Sequence, residues 1–212
     1  MSIVARLEER CHDFYQENHF PLYHNWAHVQ EVLEAVGIIC AQLNIEGLAK
    51  EDLQIAALGH DMGHLESALN HEEKSWQLFK PILREEGLSE DRQERIYQII
   101  LATDIQKAAQ NLGGRIIKDA DLYYLGTEQY FQKADLYRKE LAEQGQSFED
   151  PEWWHFQISF LGQHHYQVPE IEQLLKDTRA HNLDQIYKQL ENEHTSSYWL
   201  HGSYQARPSL RQ

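Results

Sequence analysis

The sequence predicts an all-α protein with one domain, and three observations point there. Apolar residues recur at helical spacing along most of the chain. Helix breakers are scarce, with 5 Pro and 11 Gly among 212 residues. Strand-like alternation of polarity is nearly absent.

The elements follow in order. Val29, Val32, Leu33, Val36, Ile39 and Cys40 share one helical face, with Gln30, Glu31 and Glu34 opposite. Leu53 and the run Ile55-Ala56-Ala57-Leu58 mark a helix that leads into His60-Asp61. Residues 75–86 read as another, which Pro81 should kink or divide. Ser89 is placed as the N-cap of a helix carrying Ile96, Ile99, Ile100 and Leu101. The apolar segment 116–125, read alone, could be a short strand. Residues 128–143 and 152–165 are helix-like, the second opened by Pro151 at the first helical position. Residues 170–193 complete the set. From His194 the periodicity fails and Gly202 and Pro208 follow, so the domain is expected over 1–194, with a tail or packed extension over 195–212.

Composition narrows the function. With 42% hydrophobic and 25% charged residues the chain is globular. Nineteen Lys and Arg against 34 Asp and Glu leave a formal charge of −15, which disfavours a nucleic-acid polymer as partner. Cys11 and Cys40 are too few for a disulfide framework. The first ten residues are charged and lack the apolar stretch of a signal peptide, and no run approaches 18 apolar residues. A cytoplasmic protein without a membrane partner is expected.

The 13 histidines stand apart, and their placement matters more than their number. His24 and His28 are four apart, which on a helix puts them on one face. His60-Asp61 ends a buried apolar run, and His64 follows four after His60. Asp104 ends the run Ile99-Ile100-Leu101, and Asp119 and Asp121 follow Ile116-Ile117. Three apolar segments thus end in ionisable groups, an expensive placement unless something neutralises or ligates them. Convergence of His28, His60, Asp61 and Asp121 on a divalent metal accounts for all of it.

The order His, then His-Asp, then Asp on successive helices resembles the signature of the HD superfamily of metal-dependent phosphohydrolases, over about residues 20 to 165. Tyr23-His24-Asn25 with His28 is similar to a motif of the class I cyclic-nucleotide phosphodiesterases, and His60-Asp61 with His64 resembles their His-Asp-x-x-His. Ala102-Thr103-Asp104 and Ala120-Asp121-Leu122 resemble further family segments, although the stretches between motifs are shorter here. His71-Glu72-Glu73-Lys74-Ser75 is similar to a segment of small bacterial HD proteins of unassigned substrate.

The resemblance implies that His28, His60, Asp61 and Asp121 hold one metal (Zn, Mn, Fe or Co) while Asp61 reaches towards a second (Mg or Mn). Two such ions share a hydroxide that attacks phosphorus in line. His24 protonates the leaving oxygen, His64 binds a phosphate oxygen, and Asp104 holds a water or the second ion. Gln157 and Phe160 echo a purine clamp. The expected substrate is a small phosphorylated molecule of nucleotide type, such as a cyclic nucleotide. A nucleoside mono- or polyphosphate hydrolase and a non-catalytic nucleotide sensor remain as alternatives; a sensor has no need of His24. His71, His164 and His165 carry no assigned role, and the oligomeric state is left open.

Overall fold

A computed structural model describes the backbone of residues 1–202 and the side chains of residues 1–191. Its helices are α1 (Ile3–Glu17), α2 (Trp26–Gln42), α3 (Gly47–Gly59), α4 (His71–Glu85), α5 (Glu90–Leu101), α6 (Leu112–Asp121), α7 (Tyr130–Glu143), α8 (Asp150–Gln163) and α9 (Pro169–Gly202). Two 3-10 turns, Met62–Leu65 and Tyr123–Gly126, follow α3 and α6. No strand occurs among the described residues, and none of their helices is long and apolar enough to cross a membrane.

Helix α3 sits at the centre because its second half is apolar all round, and Ile55, Ala56, Ala57 and Leu58 are fully buried. Ile55, Ala56 and Leu58 face a core shared with α1, α4 and α5, including Leu7, Phe79 and Ile96. Leu53 and Ala57 face a second core with α2, α6 and the start of α9, including Ile39, Ile117 and Ile171. A third core holds α7 to α8 and α9 around Tyr130, Trp153 and Ile186. A cleft bordered by the start of α4, by α7 and by α8 receives Asp61, just after α3, and Asp121 at the end of α6.

Several expectations need correction. Helix α1 is not among the elements read from the sequence, yet Leu7, Cys11 and Tyr15 recur every four residues and are buried. Ser2 caps it by accepting from the Ala5 amide at 3.2 Å. Pro81 does not divide α4, which is continuous from His71 to Glu85. The carbonyl that Pro81 leaves without a partner belongs to Gln77, an exposed residue, so water can satisfy it. Segment 116–125 is helix and 3-10 turn rather than strand, started by Asn111, whose side chain accepts from the Gly114 amide. Helix α8 begins at Asp150, which places Pro151 second, and Glu149 forms a capping box with Glu152. Helix α9 continues through the start of the expected tail to Gly202; residues 203–212 lie outside the described residues.

Two glycines let α4 approach the end of α3. A Cβ on Gly59 would lie 2.1 Å from the Phe79 ring, and one on Gly63 would lie 2.0 Å from the His71 carbonyl oxygen. The Gly63 amide also donates to Ser75 Oγ at 2.8 Å. These contacts bring the first turn of α4, and with it His71, against the turn that carries His64.

Candidate metal centre

Four side chains from three helices meet at the floor of the cleft. His28 stands in the first turn of α2, His60 and Asp61 follow α3, and Asp121 ends α6. Each offers one ligand atom to a set whose members all lie within 4.8 Å of one another. His28 Nε2 is 3.0 Å from Asp121 Oδ1 and 3.3 Å from Asp61 Oδ2. His60 Nε2 is 3.2 Å from Asp61 Oδ2 and 3.5 Å from Asp121 Oδ1.

The hydrogen-bond pattern fits a cation. His60 Nδ1 donates to the Ala57 carbonyl at 2.9 Å, which orients Nε2 towards the carboxylates. That Nε2 and Asp61 Oδ2 are buried without a hydrogen-bond partner, an expensive state unless an ion satisfies both. The electrostatics agree. Burial opposes charge on His28, yet the Asp121 carboxylate that accepts from it and the Asp61 carboxylate beside it win and push it up to about 9. His60 is likewise raised against its burial by the two carboxylates, and His60 and His28 hold Asp61 and Asp121 below the usual carboxylate range despite theirs. The pocket favours positive charge, which a divalent cation would supply in place of the imidazole protons.

Asp61 belongs to a second set. Its Oδ1 faces His71 Nε2 at 3.7 Å and His64 Nε2 at 3.9 Å, and these three form another group able to hold an ion. Neither ring nitrogen of His64 has a hydrogen-bond partner. Burial, aided by the neighbouring imidazoles, pulls its pKa down to about 2, so the ring is neutral at pH 7. His71 is brought here by the close approach at Gly63. Its place in the first turn of an amphipathic helix gave no sign of this in the sequence.

His24 is not on the helix of His28. Asn25 caps α2, its side chain accepting from the Ala27 amide at 2.8 Å and the His28 amide at 3.4 Å, so His24 lies one residue before the cap. The two rings still meet edge to face at 5.9 Å, and His24 stacks on His64 at 3.7 Å. What fixes His24 is Glu140 of α7. Glu140 Oε1 lies 2.6 Å from His24 Nδ1, and Oε2 accepts from the Tyr23 and His24 amides at 2.7 and 3.0 Å. Burial raises the Glu140 carboxyl, but these bonds outweigh it and hold it below its ordinary value. Sequence reasoning missed Glu140, which sits among the charged residues of an ordinary helix.

The remaining sites divide. A cavity of about 490 Å³ is bordered by His24, Asp61, His64, His71, Asp121, Gln157 and Phe160. Gln157 is buried, and its Oε1 accepts from the Tyr130 hydroxyl at 2.5 Å. Asp104 also borders this cavity, but its carboxylate pairs with Lys107 at 2.9 Å and accepts from the Gln106 amide, and it belongs to none of the ion-binding groups. Asp119 is structural: its oxygens accept from the Gln167 and Val168 amides at 2.8 and 2.7 Å, fixing the approach to α9. Its neighbour two residues on, Asp121, points to the centre. His165 is exposed, and His164 lines a separate cavity.

Glu140→Gln tests the His24 support. The new amide can still accept from the backbone amides but can present an N–H to His24 Nδ1, which disrupts the ring's tautomer and aim. Turnover is expected to fall about 10- to 100-fold with metal content unchanged. Metal analysis alongside kinetics checks this; unchanged turnover would leave Glu140 as a fold contact.

Residues 25–124 match the family model described as HD domain, a span that holds the two ion-binding groups containing Asp61 and leaves out His24 and Glu140, which with His64 make a third such group, as well as Gln157. No curated protein and no solved structure matches the chain.

Proposed function

Since this chain is an HD-superfamily protein carrying an HD domain over residues 25–124, we propose that it hydrolyses a phosphoester of a small nucleotide-like substrate with the help of divalent cations. The HD domain belongs to a superfamily of metal-dependent phosphohydrolases. The observation that carries the finer reading is an imidazole, His24 held by Glu140, in the same cavity as Asp61, which two ion-binding groups share.

His28, His60, Asp61 and Asp121 would hold the first ion, and Asp61 with His64 and His71 a second. Zn, Mn, Fe or Co suits the first set of donors. Cations bound there supply Lewis acidity, acidifying a water and neutralising phosphoryl oxygens. Glu140 holds His24 by Nδ1 and leaves Nε2 to give a proton to the leaving oxygen. His64, neutral and stacked on His24, braces that ring. Tyr130 fixes the Gln157 amide, which can donate and accept along the edge of a base. Phe160, one turn further along α8, offers a ring to the same cavity.

Cyclic and linear nucleotides and a small chromogenic phosphodiester, each assayed with Mn, Mg and Co after chelation, test the reading. Cation-dependent release of alcohol or phosphate is expected; no turnover with any pair would sink it. For the base, Gln157→Ala is expected to raise KM for a nucleotide on the order of tenfold relative to the chromogenic ester. Equal effects on both would make Gln157 a packing residue.

A further inference from the structure

Beside the first cavity lies a second, of about 370 Å³, and Asp121, Leu122, Phe156 and Phe160 border both. Its own wall includes Lys118, Ser159, Gln163, His164 and Gln167. Lys118 is 6% exposed, and its Nζ donates to the Asp104 carbonyl at 2.5 Å. An ammonium has three N–H donors, so that bond leaves two.

The nearby carboxylates are engaged elsewhere. Asp104 pairs with Lys107, Asp119 with two backbone amides, Asp121 with His28, and Glu72 lies 3.6 Å from His71. Among the described residues none forms an ion pair with Lys118. Burial pulls its ammonium below the ordinary lysine range, against the raising effect of all four acids. A buried cation without a paired anion is costly, and one on a cavity wall can be neutralised by a ligand. His164 adds an independent sign: its Nε2 is buried there with no hydrogen-bond partner.

Lys118 and Asp121 are three apart on α6 and share a face, with Cβ atoms about 5–6 Å apart. One small molecule can therefore reach the metal centre and the lysine together. We propose that the second cavity takes a second anionic group of the substrate, held by Lys118 and His164, so that the preferred substrate is a nucleotide-like ester with two separate phosphoryl groups. The proposal rests on the phosphohydrolase reading for its substrate, but its binding test does not need turnover.

The test is calorimetric titration of the Mn-loaded protein with adenosine 5′-monophosphate and adenosine 3′,5′-bisphosphate. The wild type is expected to bind the bisphosphate on the order of 10- to 100-fold more tightly, the worth of charged hydrogen bonds. Lys118→Met is expected to bring that ratio close to one. Ser159→Trp, which fills the cavity from an exposed position, is expected to do the same and guards against misfolding of the first variant. A wild-type ratio of one, or a ratio kept in whichever variants fold, overturns the proposal. Bisphosphate preference without turnover of any ester supports the cavity and sinks the hydrolase reading. Turnover without preference does the reverse.

Discussion

Asp61→Ala is expected to abolish metal binding at both positions and to lower turnover at least about 10³-fold. The carboxylate faces His28 and His60 with one oxygen and His64 and His71 with the other, so a single truncation strips a ligand from both of the groups that share it. Asp121 reaches the first group alone, Asp104 is tied to Lys107, and Glu72, 3.6 Å from His71, belongs to no ion-binding group. The variant should still fold: the apolar faces of α3 are untouched and the repulsion between carboxylates at the centre is relieved. Elemental analysis of the purified variant, with circular dichroism as a fold control, checks the expectation. Retention of two equivalents of metal would mean that the two groups are not the metal positions.

His24→Ala should separate chemistry from metal binding. The side chain lies outside the two groups that contain Asp61 and is grouped instead with His64 and Glu140, so metal content at the quartet and the Asp61–His64–His71 group is expected to stay near normal. Loss of a positioned acid typically costs about 10²–10⁴-fold in kcat. The dependence on leaving group is the sharper readout. An ester that releases a weakly basic phenolate needs little protonation and should lose far less than one that releases an alkoxide. Equal losses on both esters would assign His24 to binding, and loss of metal would show that His24 and His28 have exchanged roles.

How much of this was legible in the sequence depended on whether the signal was local. His60, Asp61 and Asp121 of the quartet could be read because apolar runs end in them, an anomaly visible within a few residues, although the third such end, Asp104, pairs with Lys107 instead. The central position of α3 was foreshadowed by the uninterrupted run before His60. Glu140 could not be read, because it lies 116 residues from His24 and its only mark is burial among charged neighbours. His71 depends on a close approach that Gly63 permits, and no pattern in the chain announces which residue a glycine admits. The misplacement of His24 on a helix had a different origin. A spacing of four suits a helical face, but Asn25 between the two histidines is a strong cap and starts the helix after His24. Helix α1 did leave a signal in Leu7, Cys11 and Tyr15, masked by the charged residues between them.

The distance along the chain between His28 and Asp121 has a further consequence. These two ligands are 93 residues apart, and only adjacent His60 and Asp61 are near each other before folding. An unfolded chain therefore offers a cation a weak, partial site, whereas the native chain offers four converged donors. Occupancy acts as a tether that exists only in the native state, and by mass action it deepens that state by about 2.7 kcal/mol when free cation is at a hundred times its dissociation constant. With a cation bound there, the supply of metal in its surroundings would be one of the determinants of how stable the native chain is.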